Sequence, residues 1–336
     1  MRSPLLALFL IRQLLCCDTF VTPAAVVRTA TSTVTAPLSA SPHPSHAPTY
    51  VCSPAPTRIA SVNATIATSA LLIVSEYSAW TSAVANGMAP FANSAARFGM
   101  DVWVLLVTDS PSRIGAMAWQ CGPRGGHPPA PLPHAHFRFA SHADVRAVYR
   151  GGFHSFYMSN HWNAMLFWQL VGKARYRRLW TVEPDVRAVG VVDLLFKSVP
   201  AVELVTTTRV VRLPRNHGAT LKWKGRPPRR QYHAWRQITA FSARLLDHMH
   251  ERFFHGRYNG QDEAVIPTAA AELRNSTRVS LEELGFLSRD GFTTARKARG
   301  KVLGLWRHAA AVEAKRISAG ERPTARLTLF HPVKDG

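Results

Sequence analysis

The side chains best placed for chemistry are two carboxylates that follow an apolar strand. Residues 176–182 predict a strand, and Glu183-Pro184-Asp185 comes directly after it. Residues two apart in an extended chain point to one side, and Pro184, which has no backbone N–H, should end the strand pairing. Two carboxylates held together suit a hard divalent cation, Mg²⁺ or Mn²⁺, that carries a phosphate. Acidic residues also commonly cap strands, so a structural role stays open at this point.

Alternating strand and helix patterns surround this acidic pair. Residues 69–75 and 101–108 are apolar runs typical of buried strands, and residues 80–98 between them have helical spacing. This order predicts a parallel sheet with a right-handed crossover. Helices are further expected over 160–170, 191–199 and 243–254, strands over 201–206 and 325–330, and a strand-to-helix turn over 239–242. We therefore predict an α/β fold that binds ligands at the carboxyl ends of its strands.

Three segments resemble one enzyme family. Residues 180–187, WTVEPDVR, resemble the W-x-(I/V)-E-x-D-V-R segment of GT-A-type nucleotide-sugar glycosyltransferase-like proteins. Residues 260–268 are similar to that family's G-x-x-E-x-x-x-P-T helix start, and residues 329–334 to its C-terminal L-(Y/F)-H-P-V-K. The resemblance covers residues 68–334. It implies a GT-A-like, Rossmann-type, mostly parallel sheet flanked by helices.

The resemblance also implies a metal site. In this family the last acid of the strand-end motif and the C-terminal histidine bind the metal that bridges the sugar-nucleotide diphosphate. Asp185 and His331 are therefore expected to hold Mn²⁺ or Mg²⁺, with Glu183 as a ligand or directly behind the ligands. Lys334, three residues after His331, is expected to contact a phosphate oxygen.

Other residues are candidates for binding and proton transfer. If the reaction inverts configuration, a carboxylate must take the proton of the acceptor hydroxyl, and Glu263 is our first candidate and Asp262 our second. Both open a predicted helix over 262–273, where acids also stabilise the helix dipole, so a structural role stays open. By analogy with the fold, Ser75 and Glu76 at the first strand-to-helix turn are expected to line a nucleotide pocket.

The N-terminal segments indicate the secretory pathway. Residues 1–27 contain an apolar stretch that suits a signal peptide or signal anchor, and an anchor would attach the chain to a membrane. Residues 28–57, rich in Ser, Thr and Pro, predict a disordered stem before a catalytic domain over 58–336. Glycosylation sequons at Asn63 and Asn275 fit this route. We expect a protein of the ER or Golgi lumen, either type II anchored or secreted.

Composition leaves three functions open. The net charge of +21 and the basic, aromatic segment 209–236 suit a polyanion or nucleic acid, but the leader and the lack of a recognised nucleic-acid module argue against nucleic acid. Our first hypothesis is metal-dependent transfer of a sugar from a nucleotide sugar to a hydroxyl of a glycan, protein or lipid. The alternatives are a non-catalytic relative that binds nucleotide sugars or glycans, and a basic polyanion- or nucleic-acid-binding protein.

Overall fold

The computed structural model describes most of the predicted catalytic domain. The described residues are 51–52, 68–109, 130–148, 160–213, 230–254, 261–292 and 299–333. They all fall within one unit of the chain, residues 48–336. The predicted leader, Asn63, Lys334 and residues 214–229 of the basic segment lie outside the described residues. Among the helices that are described, none has the length and apolar character needed to cross a bilayer.

Strands of the described residues form three sheets. In chain order they are β1 (Val51–Cys52), β2 (Ser69–Glu76), β3 (Asp101–Thr108), β4 (Ala135–Ser141), β5 (Arg178–Val182), β6 (Arg187–Gly190), β7 (Leu204–Thr206), β8 (Val211–Arg212), β9 (Tyr232–His233), β10 (Ile238–Ser242), β11 (Arg278–Ser280), β12 (Leu287–Phe292) and β13 (Leu327–His331). The central sheet has eight strands in the order β1-β4-β3-β2-β5-β10-β7-β11, and β8 and β9 form a two-stranded antiparallel sheet. Strand β1 lies within the predicted stem.

The central sheet is mostly parallel, as the sequence predicts. Strands β4, β3, β2 and β5 pair in parallel, as do β7 and β11, whereas β10 runs antiparallel to both of its neighbours. The prediction of a turn over 239–242 is wrong, because these residues belong to β10. Thr239 and Ala240 point to opposite faces of the sheet and are both fully buried, so this segment is a central strand that is covered on both faces.

Helices cover both faces of this sheet. In chain order they are α1 (Ser82–Arg97), α2 (His142–Val148), α3 (Asn160–Phe167), α4 (Asp193–Ser198), α5 (Ala243–Phe254), α6 (Asp262–Glu272) and α7 (Arg299–Ser318). Alternate residues of β2 enter two different cores: Leu71 and Ile73 pack in the cluster that contains α1, and Leu72 and Val74 in the cluster that contains α3 and α5. The chain is therefore an α/β protein whose central sheet lies between layers of helix.

A small second sheet brings the C-terminal strand to the acidic motif. Strand β13 lies between β12 and β6, pairing in parallel with β12 and antiparallel with β6. At Gly190, the last residue of β6, φ is +90°, and a Cβ atom would lie 1.9 Å from the carbonyl oxygen of Arg326. Only glycine allows this close approach. Because β6 starts two residues after Asp185, the sheet holds the end of β13 beside the acidic turn.

Candidate metal centre

The acidic motif lies in a tight turn at the carboxyl end of β5. Strand pairing ends at Val182, and the N–H of Glu183 donates to the carbonyl of Gln237 at 2.8 Å. The N–H of Val186 then donates to the carbonyl of Glu183 at 3.1 Å, which closes a turn around Pro184. Strand pairing therefore stops just before Pro184, in line with the expectation from its missing N–H, and the two carboxylates do not lie on one face of a continuing strand. They are carried by a turn that projects beyond the sheet.

Both carboxylates converge on His331. Its Nε2 atom lies 3.4 Å from Oε2 of Glu183 and 3.4 Å from Oδ1 of Asp185. The three candidate ligand atoms all lie within 4.8 Å of one another. Ligands about 2.1 Å from one cation are separated by roughly 3 Å, so small side-chain movements suffice for all three to share a metal. The residue types and the geometry therefore form a group that could hold a metal ion.

The electrostatics of this group favour a positive charge. Burial of His331 lowers its pKa, but hydrogen bonds with Asp185 and Glu183 outweigh burial and raise the pKa to about 9. The two carboxylates are partly buried, and the imidazole is 9% exposed. Water therefore screens their mutual interaction only weakly. A divalent cation would find the same favourable potential that stabilises the protonated imidazole.

The backbone of the acidic turn is held from two sides. The buried guanidinium of Arg187 donates from Nη1 to the carbonyl of Pro184 at 2.7 Å. On the other side, the N–H of Val333 donates to the carbonyl of Asp185 at 2.8 Å. Gly87 in α1 leaves room for the guanidinium, since a Cβ there would lie 2.3 Å from Cζ of Arg187. Helix α1 thus limits where the turn can lie.

A buried ion pair lies behind Glu183. Arg236, two residues before the start of β10, forms an ion pair with Asp262 at the start of α6, and the two side chains are 5% and 0% exposed. Nη2 of Arg236 also lies 3.8 Å from Oε1 of Glu183. Arg236 is a residue that the sequence analysis missed. In the sequence it is one more cation in a basic segment, and no local signal links it to an acid that far along the chain.

The two candidate bases have different environments. Asp262 is fully buried, and its Oδ1 accepts a hydrogen bond from the N–H of Glu263 at 2.9 Å. It does not join the carboxylates that face His331. Glu263 is partly exposed, and its carbonyl accepts from the N–H of Ala234 at 2.9 Å. Of the two predicted bases, Glu263 is the one with solvent access.

A cleft of about 290 Å³ lies at the carboxyl ends of β2 and β3. Its polar lining includes Glu76, Tyr77 and Asp109, and the carboxylate of Asp109 pairs with Nδ1 of His142. Ser75, which we expect from the sequence to line this region, is 1% exposed and donates from Oγ to the carbonyl of Glu76 at 3.1 Å. Asp109 follows an apolar strand just as Glu183 does, so its position is a signal that the sequence analysis could have used.

No protein-family model matches the chain, and no curated protein matches it. The resemblance to GT-A-type glycosyltransferase-like proteins therefore rests on the three sequence motifs. Two of those motifs supply the three residues that meet in the candidate metal centre.

Proposed function

We propose that the chain is a metal-dependent glycosyltransferase that moves a sugar from a nucleotide sugar to an acceptor hydroxyl. The observation that carries this proposal is the convergence of Glu183, Asp185 and His331 at the carboxyl edge of a mostly parallel sheet. Ligands of α/β proteins bind at this edge. The three residues come from the two motifs in which the family resemblance implies metal ligands.

In the proposed reaction, Asp185, His331 and Glu183 hold Mn²⁺ or Mg²⁺. Two carboxylates and one imidazole suit Mn²⁺, and the carboxylates also suit Mg²⁺. When bound, the cation would act as a Lewis acid that stabilises the charge on the leaving diphosphate. The residues of this chain orient the ligands and exclude water on the buried side. Lys334 remains our candidate for a contact with a phosphate oxygen.

The cleft beside the metal centre supports binding of the nucleoside part of the donor. Strand β2 pairs in parallel with β5 and with β3, so the cleft and the acidic turn are at neighbouring strand ends. The carboxylates of Glu76 and Asp109 can accept hydrogen bonds from ribose hydroxyls, and Tyr77 offers an aromatic ring. Because Ser75 is buried, we assign the polar contact at this turn to Glu76.

For proton transfer in an inverting reaction we propose Glu263. It retains solvent access, whereas Asp262 is paired with Arg236. The acceptor is a glycan, a protein or a lipid of the secretory pathway, which the chain enters through its leader. We further propose that the α/β fold is of the GT-A type.

The test is a donor screen on the full-length chain. Release of free nucleotide from a panel of nucleotide sugars is followed with and without Mn²⁺, for the parent and for Asp185→Asn and His331→Ala. The control is Asp193→Asn, which removes a carboxylate of the exposed Arg97–Asp193 ion pair. We expect metal-dependent release from one donor, lost in both site variants and kept in the control. Binding of metal and donor without release would indicate a non-catalytic relative, and no Mn²⁺ binding would overturn the proposal.

A further inference from the structure

We propose that Arg236 and Asp262 act together as positioning residues that orient Glu183 towards the cation. This inference rests on the proposed metal site. The two oxygens of the Glu183 carboxylate face different partners: Oε2 lies 3.4 Å from Nε2 of His331, and Oε1 lies 3.8 Å from Nη2 of Arg236. At 3.8 Å the Arg236 contact is an ion pair and not a hydrogen bond, and it attracts one oxygen of the carboxylate so that the other faces the cation. Outer partners of this kind typically contribute to metal affinity.

Asp262 decides how strongly Arg236 attracts Glu183. A guanidinium that is 5% exposed requires a carboxylate, because water cannot compensate for its charge. Asp262, fully buried, neutralises Arg236 and is itself fixed by the N–H of Glu263. With this pair neutral, Arg236 orients Glu183 without cancelling the negative charge that a cation needs. Without Asp262, the whole charge of Arg236 would compete with the metal for Glu183.

The fold accounts for the placement of this pair. Arg236 lies at the carboxyl edge because β10 runs antiparallel to β5, so that the start of β10 lies beside the end of β5. Helix α6 begins at the same edge with Asp262. The interpretation of Asp262 as a catalytic base therefore gives way to a role in holding a metal ligand.

The experiment is a calorimetric titration of Mn²⁺ into the full-length chain. Single variants leave one buried charge unpaired, so the informative variant is the double change Arg236→Met with Asp262→Asn, which removes both charges and keeps the acceptor for the N–H of Glu263. We expect its Kd for Mn²⁺ to rise about 10- to 100-fold while cooperative unfolding is kept. Tyr176→Phe, which removes a hydrogen bond at the opposite edge of the sheet, is the matched control and should leave the Kd unchanged.

A double-mutant cycle separates positioning from a general loss of structure. If Arg236 and Asp262 act through Glu183, the double change should cost little further affinity in a Glu183→Gln background. An unchanged Kd in the folded double variant, or fully additive losses in the cycle, would overturn the inference and leave the proposed function intact. If the parent binds no Mn²⁺, the proposed function fails and this inference fails with it.

A second inference comes from a different part of the fold. Asn275, in the sequon Asn275-Ser276-Thr277, lies in the turn between α6 and β11 with a positive φ of 57°, a conformation that asparagine adopts more readily than most residues. Asn275 and Thr277 are exposed. We infer that Asn275 carries an N-linked glycan once the chain enters the secretory pathway. This inference rests on the proposed location of the protein. The side-chain amide nitrogen loses a proton and bonds to C1 of an oligosaccharide, whose bond to a lipid-linked diphosphate breaks.

The position of this turn is compatible with the proposed activity. Helix α6 starts at the edge that carries the metal centre and ends at the opposite edge, so a glycan on Asn275 lies away from the candidate ligands. The next strand, β11, is an outermost strand of the central sheet. Exposed edge strands are sites of unwanted pairing between chains, and a glycan beside β11 would hinder such pairing.

Translation of the full chain with ER microsomes, followed by N-glycosidase digestion, tests this site. All variants carry Asn63→Gln, so that any digestible mass shift reports on Asn275. We expect a shift that is lost in Asn275→Gln and in Thr277→Ala but kept in Ser276→Ala, which leaves the sequon intact. A shift at Asn63 in the parent without one at Asn275 would overturn this inference alone. No shift at either asparagine would overturn both this inference and the proposed entry into the secretory pathway.

Discussion

The two edges of the central sheet carry partly buried polar clusters of different kinds. At the amino edge, the hydroxyl of Tyr176 donates to the carboxylate of Asp101 at 2.6 Å and accepts from Nε1 of Trp103 at 2.9 Å. At the carboxyl edge, the oxygens of Glu183 and Asp185 converge on His331. In the first cluster a single carboxylate has a neutral donor, which suits a structural role. In the second, two carboxylates meet at one point, which suits a cation.

The pKa values of two histidines, one at each edge, shift in opposite directions. Burial lowers the pKa of His136 at the amino edge, and nearby Asp101 opposes this change only in part. Burial also lowers the pKa of His331, but Asp185 and Glu183 together raise it to about 9. His331 is buried more deeply than His136, and burial lowers the pKa in both, so burial alone does not explain the opposite directions. The second carboxylate at the carboxyl edge makes the local potential negative.

The largest expected effect is the loss of metal binding in Asp185→Asn. Because this change removes a proposed ligand, we expect the Kd for Mn²⁺ to rise by more than about 100-fold. Loss of a residue that only supports a ligand has a smaller effect. Calorimetric titration measures the Kd. Asp101→Asn, at the other edge, is the matched control and should bind Mn²⁺ like the parent. Equal affinity in all three proteins would show that the carboxyl-edge cluster is not a metal site.

Gly87→Ala should weaken metal binding through Arg187. The added Cβ would lie 2.3 Å from Cζ of Arg187, so the guanidinium must leave the carbonyl of Pro184. We expect roughly a tenfold rise in the Kd for Mn²⁺, which is the size of effect seen when a residue that supports a metal ligand is lost. Gly304→Ala in α7 is the control, because nothing lies within 4 Å of its added Cβ. That variant should gain about 0.5–1 kcal/mol in unfolding free energy and keep its affinity.

Tyr176→Phe should destabilise the fold and leave the candidate metal centre unchanged. It removes the hydroxyl that bonds both Asp101 and Trp103, so we expect a loss of about 1–2 kcal/mol in the free energy of unfolding. Urea unfolding measures this loss. A changed Kd for Mn²⁺ in this variant would mean that the two edges are coupled and that the clusters do not act independently.

The smallest expected effect concerns pH and His136. Its pKa is lower in the folded chain than the ordinary value of 6.5, so below pH 6.5 the unfolded chain takes up a proton that the folded chain does not. The free energy of unfolding should therefore fall as the pH drops below 6.5, and His136→Gln should show a shallower fall. Urea unfolding from pH 7.5 to 5 measures both profiles. Parallel profiles would contradict this account of the amino edge.

The sequence predicted those parts of the fold that depend on local pattern. The apolar runs of β2 and β3 and the helix between them are where the pattern placed them, because a strand buried on both faces requires apolar residues at consecutive positions. Strand β10 was missed because it passes directly into α5 with no loop residue between Ser242 and Ala243. The end of strand pairing near Pro184 was predicted, but the form of the turn was not, since it depends on a hydrogen bond from Glu183 to the distant Gln237.

For the site, too, the sequence predicted what local motifs carry and missed what depends on contacts between distant segments. Glu183, Asp185 and His331 were identified by motif resemblance, and the fold does bring them together. The role of Arg236 could not be predicted, because its pairing with Asp262 depends on how β10 and α6 meet in three dimensions. Of the two residues expected at the first strand-to-helix turn, Ser75 is buried and Glu76 lines the cleft, since neighbouring strand residues point to opposite faces.

The hydrogen bond from Val333 to the carbonyl of Asp185 should protect the amide of Val333 from deuterium exchange. Val333 is fully buried, and its amide can exchange with deuterium only when the end of β13 separates from the acidic turn. A cation bound between His331 and Asp185 would make that separation rarer. The exchange rate of this one amide would therefore record how often the candidate metal centre opens, without any label or added reporter group.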